Sequence, residues 1–338
     1  MLDCYWHHSQ SDWPSHTHVS EKKSSYDSRS QSIADEPNMS SSKSIIDRDV
    51  HSSLPKGFEH ISILPSHLQG GQSRVDLVKD EKGTKHIAKT VDMSKYHDIE
   101  SSLLDDPKFS HPYVVNGFVS CSAETHVQYI LEHCPHQSLM EQQRRFNHLD
   151  KIIILRQLAS ALLFCHRHLK IIHGDVKLEN ILIYNLDPVY IKLGDFGLAF
   201  REGNPPKNPQ GTYEMMAPEI LCKQINGKQI VPSFPSDVWS YGSTAYELIT
   251  AEVPFGIRDH GLEKLKSNIL KAKIQWSDEY DSPIPDNDNF RDFIKKLLKL
   301  DPDQRITLED ALDHPFLNPW RENAHKIIRK TILNRQLL

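Results

Sequence analysis

The chain has 338 residues, a formal net charge of −5 and 38% hydrophobic residues, enough for one large domain or two small ones with a sizeable core. The slight acidity supplies no positive field, which excludes nucleic acid as the expected main partner. Five scattered cysteines (Cys4, Cys121, Cys134, Cys165, Cys222) predict reduced thiols in an intracellular protein, cytoplasmic or nuclear, rather than a disulfide framework.

Residues 1–55 are rich in Ser, His and charge and poor in aliphatics. Such an arm buries too little apolar surface to offset its ordering entropy, so disorder is expected. Its MLDCYWHHSQ start lacks a basic end followed by an apolar run, so no secretory signal is expected. Nowhere is an apolar run long enough to span a bilayer. Cys4, His7, His8, His16 and His18 lack the paired spacing of structural zinc sites and read as a solvated tail.

From Phe58 the pattern turns to strands: ISILPSHL, SRVDLVKD and KHIAKTVD, the last two joined by a turn at Glu81-Lys82-Gly83. A glycine-bearing loop, Leu68-Gln69-Gly70-Gly71-Gln72-Ser73-Arg74-Val75, precedes Ala88-Lys89 by one strand-turn-strand. A helix is predicted from about Met93 to Leu104, with Glu100 (or Asp98) facing Lys89. HPYVV and HVQYILEHC read as two more strands, the second carrying Leu131, Glu132 and Cys134. Leu149–His168 has a broad apolar face and predicts a mostly buried helix. Its Cys165, His166 and His168 look like metal ligands but read better as the end of that core helix.

Next comes IIHGDVKLENIL, which places Asp175, Lys177 and Asn180 in one short loop before an apolar segment. This trio suits phosphate, metal and a hydroxyl proton. Downstream lie Asp195-Phe196-Gly197, Ala217-Pro218-Glu219, the stretch SDVWSYGSTAYELIT with Asp237, and Arg305.

In this order the set resembles the eukaryotic protein kinase family, over residues 56–318. His173, Asp175 and Asn180 match the H-R-D-x-x-x-x-N loop, with Gly174 in place of Arg. The resemblance implies an α+β bilobal fold, with a small β-rich lobe holding one main helix and a larger, mostly helical lobe. It implies Mg²⁺ and ATP as cofactors and protein hydroxyls as substrates. Asp175 and Lys177 would be catalytic, and Asn180 and Asp195 would hold metal. ATP would lie against Leu68, Gly70, Gly71, Val75, Ala88, Lys89, Glu100, Leu131, Glu132 and Cys134. His173 and Phe196 read as packing. Lys177 and Thr212 point to the Ser/Thr branch.

In the glycine loop only Gly70 keeps a family glycine, which leaves a pseudokinase, a binding or scaffold module of the same fold, as the alternative; a small-molecule kinase is a weaker third reading. Two departures agree with each other. Gly174 cannot receive a phosphate, and residues 198–210 contain no Ser, Thr or Tyr, so activity is expected without phosphorylation of that segment. Ser138 stands where Arg-directed kinases usually carry an acid, so no strong preference for basic peptides is expected although Glu179 remains. The tail over 319–338 pairs Ile327, Ile328, Ile332 and Leu333 with five basic residues. It predicts an amphipathic helix that packs on the larger lobe or meets a partner or anionic membrane surface.

Overall fold

The computed structural model describes residues 54–64, 73–95, 98–204, 211–222, 224–225, 228–229, 232–276 and 287–319. The expectations for the arm, the tail and loop residues Leu68, Gly70 and Gly71 lie outside them.

Five antiparallel strands form the smaller lobe: β1 (Glu59–Ile63), β2 (Ser73–Lys79), β3 (Lys85–Asp92), β4 (Gly117–Ser122) and β5 (His126–Glu132), in the order β1-β2-β3-β5-β4. The β2–β3 turn forms where the sequence places it. The Asp80 carboxylate accepts the N–H groups of Lys82 and Thr84 at 2.9 and 2.8 Å, and Gly83 takes the left-handed φ of +80° that a turn glycine allows. In register, Val75 and Tyr129 flank Lys89, while Leu77 and Leu131 flank Ile87. Strand side chains alternate between faces, so these six residues share one face of the sheet.

Ala88 points the other way. It packs with Val78 and Ile130 under Leu54 and Phe58, which removes it from the expected ATP-binding set. Ile87, two residues from Lys89, shares the Lys89 face because the strand period is two. HPYVV is also not a strand. Val114 makes one isolated bridge to Leu193, and the strand lies just after it, at β4. The helix expected from Met93 is shorter: a turn of 3₁₀ helix covers Met93–Lys95, and α1 runs over Asp98–Leu104.

The larger lobe is built on α2 (Leu139–Gln142), α3 (His148–Phe164), two hairpin-like pairs, β6 (Ile171–Ile172) with β9 (Phe200–Arg201) and β7 (Ile181–Leu186) with β8 (Val189–Leu193), then α4 (Pro218–Leu221), α5 (Phe234–Thr250), α6 (Leu262–Ile269), α7 (Asn287–Leu297) and α8 (Leu308–Leu312). Asn147 caps α3 reciprocally with Asp150, at 3.0 and 3.2 Å. The α-helix stops at Phe164, short of the expected His168. Cys165–Leu169 form a wider π-type turn, closed by Lys170 at φ +56°. That turn carries His166 to Asp237 on α5, as described below.

α5 is buried from Ser236 to Leu248, so it is the beam on which the larger lobe is assembled. Trp239 stacks on Phe255 at 5.1 Å, and Tyr241 meets Phe293 edge-on. The hydroxyls of Ser240, Tyr241 and Thr244 donate to the carbonyls of Met215, Leu155 and Val176. Among the described residues, no helix is long and apolar enough to cross a membrane.

Candidate active site

Lys89 projects from the middle of β3 to the groove between the lobes. Its Nζ donates to Glu100 on α1 at 2.8 and 3.0 Å and to Asp195 at 2.9 Å. Burial works against the Lys89 charge, but the two carboxylates outweigh it and raise its pKa. Lys89 in turn holds Asp195 well below the usual carboxylate range, at about 2, against the opposing effect of burial. The side chain of Asp195 remains half-exposed toward the groove. Its left-handed φ of +59° is uncommon for a residue with a side chain, and it brings Oδ1 within 3.4 Å of the Gly197 N–H.

The loop expected to do chemistry is assembled around Asp175. Asp175 Oδ1 accepts both the N–H and the hydroxyl of Thr212 at 3.1 Å. Lys177 Nζ lies 2.8 Å from Asp175 Oδ2 and donates to the Thr212 hydroxyl at 2.9 Å. The Asn180 amide donates to the Asp175 carbonyl at 2.8 Å and to Oδ2 at 3.1 Å. Asp175 therefore has a fixed orientation, and Lys177 and Thr212 are fixed with it.

One buried carboxylate sets the shape of the loop backbone. Asp237 on α5 accepts the N–H of His173 at 2.8 Å and of Gly174 at 3.0 Å, and its Oδ2 lies 2.8 Å from His166 Nε2. Burial would raise the Asp237 pKa, yet the bond and charge of His166, with His173 and the Gly174 N–H, lower it. Cys165 is buried in the core of this lobe, and the two histidines beside it pack against aromatic rings. His166 stacks on Phe234 at 4.8 Å and His168 on Phe164 at 5.6 Å. Phe196 sits between Phe109 and His173 with ring centres at 5.5 and 5.0 Å, the packing role expected for His173 and Phe196.

Leu131 and Glu132 close the back of the groove. Leu131 lines a small cavity with Glu100, Leu103, Phe109, Val115 and Phe196. The Glu132 carboxylate lies 2.7 Å from Lys192 Nζ and accepts the Asn116 N–H, so it ties β5 to the larger lobe. Burial and the neighbouring Glu132 push the Cys134 thiol up to about 12, which makes it a poor nucleophile. Further out, Glu219 and Arg305 form a bidentate pair with both bonds at 2.7 Å and both side chains essentially inaccessible.

Among the described residues, no group of three or more His, Cys, Asp or Glu converges as a ready-made metal cage. Asp195 and Asn180 instead offer two oxygen donors beside a fixed cation. That donor set fits Mg²⁺, which takes few protein ligands and completes its shell with phosphate oxygens and water.

Residues 69–317 match the family described as the protein kinase domain. The chain belongs to the protein kinase family. It is 34% identical over 249 residues to a serine/threonine-protein kinase of Drosophila persimilis, covering 70% of this chain and 32% of the relative. A serine/threonine-protein kinase of Drosophila melanogaster is 30% identical over 279 residues, covering 76% and 36%. A CaM kinase-like vesicle-associated protein of Danio rerio is 32% identical over 181 residues, covering 52% and 40%. The chain thus spans only about a third of the length of the first of these relatives.

Two carboxylates of this kinase domain escaped the sequence reading. Glu214 follows Thr212 by two positions, and Glu247 lies near the end of α5. Neither belongs to a local pattern that marks it; only the docking of α5 beneath the catalytic loop gives them a common neighbourhood.

Proposed function

We propose that the protein is a Ser/Thr protein kinase that transfers the γ-phosphoryl group of Mg-ATP to protein hydroxyls and needs no phosphorylation of its activation segment. The observation that carries this reading is the joint assembly of the two charged clusters: Lys89 bridging Glu100 and Asp195, and Asp175 held by Thr212, Asn180 and Lys177. A pseudokinase would have no need of both.

In this reading Val75, Ile87 and Leu131 line the nucleotide site, the backbone over Glu132–Cys134 meets the adenine edge, and Leu68, Gly70 and Gly71 cover the phosphates. Lys89, fixed by Glu100, holds the α- and β-phosphates. Mg²⁺, held by Asp195 and Asn180, neutralises charge on the phosphate oxygens. Asp175 orients the incoming hydroxyl in line and takes its proton, and Lys177 faces the γ-phosphate. The Lys177–Thr212–Asp175 contacts support the Ser/Thr assignment.

Independence from phosphorylation is supported by Gly174. Its N–H is bound to Asp237, it carries no side chain to receive a phosphate, and Lys89 and Glu100 are already paired. The test is transfer from Mg-ATP to a generic protein substrate by wild type, Asp175→Ala and Asp195→Ala, with enzyme made without other kinases and treated with phosphatase. Transfer by wild type alone is expected. Equal signal in all three removes the kinase reading, and a large loss on phosphatase treatment traced to Thr212 or Tyr213 removes the independence.

A further inference from the structure

The face of the five-stranded sheet opposite Lys89 is more deeply buried than the elements packed on it account for. α1 lies on the Lys89 face, where Leu104 meets the cluster of Val91, Val127 and Tyr129. The groove and the larger lobe are on that side too, since Lys89 reaches Asp195 there. On the opposite face, Leu54 and Phe58 cover one end, over Val78, Ala88 and Ile130. Beyond them the face turns polar. Arg74, Thr90 and Gln128 stand side by side in register on β2, β3 and β5, with Asp76 next on that face of β2. The Gln128 amide donates to the Thr90 hydroxyl at 3.3 Å. Arg74 holds Asp76 by two bonds, at 2.9 and 3.0 Å, and His60 Nε2 lies 3.0 Å from the same carboxylate.

Polar side chains on the outside of a small lobe belong in water, yet Thr90 and Gln128 are 0% exposed and Asp76 is 1% exposed. Burying such groups is costly unless the cover makes contacts in return. The rims of the same face are open. Ile63, paired with Asp76, is 51% exposed, and Phe118, paired with Ile130, is 43% exposed. A buried middle between open rims calls for a cover one chain wide, not for a second copy or a broad partner surface. The chain meets this face at Leu54, and 53 residues precede it. Among these, Ile45, Ile46 and Val50 are the most closely spaced branched aliphatics, with Asp47 and Asp49 between them. Four extended residues span about 13 Å, and the step along β3 from Ala88 to Thr90 is about 7 Å. The stretch around Val50 therefore reaches the polar row. Arg74 and His60 are two basic groups about one acid, which suits a further carboxylate.

We propose that residues 44–50 strap this face within the same chain, their aliphatic side chains lying over Thr90 and Gln128 and Asp47 or Asp49 facing Arg74 and His60. The aliphatics exclude water from the row, and the carboxylate gives the strap its register. The expectation of disorder is thereby withdrawn for this stretch of the arm alone. Thr90 adjoins Lys89 on β3, and Arg74 adjoins Val75 on β2, so the strap braces the two strands that bring Lys89 and Val75 to the groove. The inference stands apart from the kinase reading, because none of it depends on phosphoryl transfer.

The test uses the full chain and two readouts that need no activity. In the first, Thr90→Cys is labelled with N-ethylmaleimide and followed by mass spectrometry of the β3 peptide, with the arm unchanged and with Ile45→Asp plus Ile46→Asp. Labelling about tenfold faster or more is expected with the two aspartates, as for a site opened by loss of its local cover. Equal protection in both overturns the strap, because something other than residues 44–50 then covers Thr90. In the second, a benzophenone amino acid in place of Arg48 is photo-crosslinked. Cross-links to β2, β3 or β5 of the same chain are expected, at a yield independent of protein concentration and lowered by Asp47→Lys plus Asp49→Lys. Cross-links confined to the larger lobe, cross-links that grow with concentration as for a second copy, or none at all overturn the strap. If Thr90→Cys does not fold, the cross-link decides.

Discussion

Replacing Gly174 by Ala should damage both stability and turnover. Gly174 has φ +78°, and holding a residue with a Cβ in that left-handed region costs roughly 1–2 kcal/mol. An ideal Cβ there would lie 2.7 Å from the Leu198 carbonyl oxygen and 3.4 Å from the Phe200 ring. The first of these is a clash with backbone, so Leu198 or the catalytic loop must shift, at a further cost of about 1–3 kcal/mol. Alanine also reduces the freedom of the unfolded chain, which returns about 0.4–1 kcal/mol. The net expectation is a loss of about 1–5 kcal/mol, read by urea denaturation of wild type and Gly174→Ala. Leu198 directly follows Asp195-Phe196-Gly197, and the Gly174 N–H is bound to Asp237, so the same shift reaches the loop that carries Asp195 and Asp175. A fall in kcat of about tenfold or more is expected, since near-attack geometry tolerates little displacement. A variant within 0.5 kcal/mol and twofold in kcat of wild type, about the scatter of neutral surface changes, would refute the reasoning.

Lys89→Met should lower kcat by about 10²–10³, the usual effect of removing one preorganised group that stabilises transition-state charge, with the fold intact by circular dichroism; unchanged turnover counts against its role. Arg305→Met leaves Glu219 buried without its cation and should cost about 3–5 kcal/mol in urea unfolding, whereas Glu219→Gln with Arg305→Met should recover part of it; a loss under about 1 kcal/mol would mean the pair is not buried as described. Asp195 titrates at about 2 because of Lys89, below the unfolded value of about 3.9. Its contribution to stability is therefore complete above about pH 4 and lost as pH falls through about 2. A carboxyl NMR titration should show no Asp195 transition above about pH 3, and one near 4 would show that Lys89 is not its partner in solution.

Much of the site was legible in the sequence because its groups come in short, dense stretches. Asp175, Lys177 and Asn180 share one loop, and the turn at Gly83 follows from local chemistry. Lys89 and Glu100, 11 positions apart, are paired by the family resemblance. The misreadings have a common cause. Ala88 was assigned by adjacency to Lys89, but a strand sends adjacent side chains to opposite faces, which only the register makes plain. HPYVV is apolar enough for a strand, yet Val114 and Val115 pack against the β8 region by a bridge and a single turn. Glu247 carried no signal at all, since its significance depends on burial and on neighbours from two distant turns.

The grip of Asp237 on the catalytic loop also has a bearing on synthesis. The Gly174 N–H finds its acceptor 63 residues further along the chain, and Glu219 finds Arg305 86 residues on. A nascent chain that has released Asp175 from the ribosome still lacks the carboxylate that shapes the loop. Domains generally acquire structure as units during translation, so the polypeptide emerges with the loop around Asp175 still unshaped. The loop takes its final shape only after α5, and then the Arg305 segment, has joined the larger lobe.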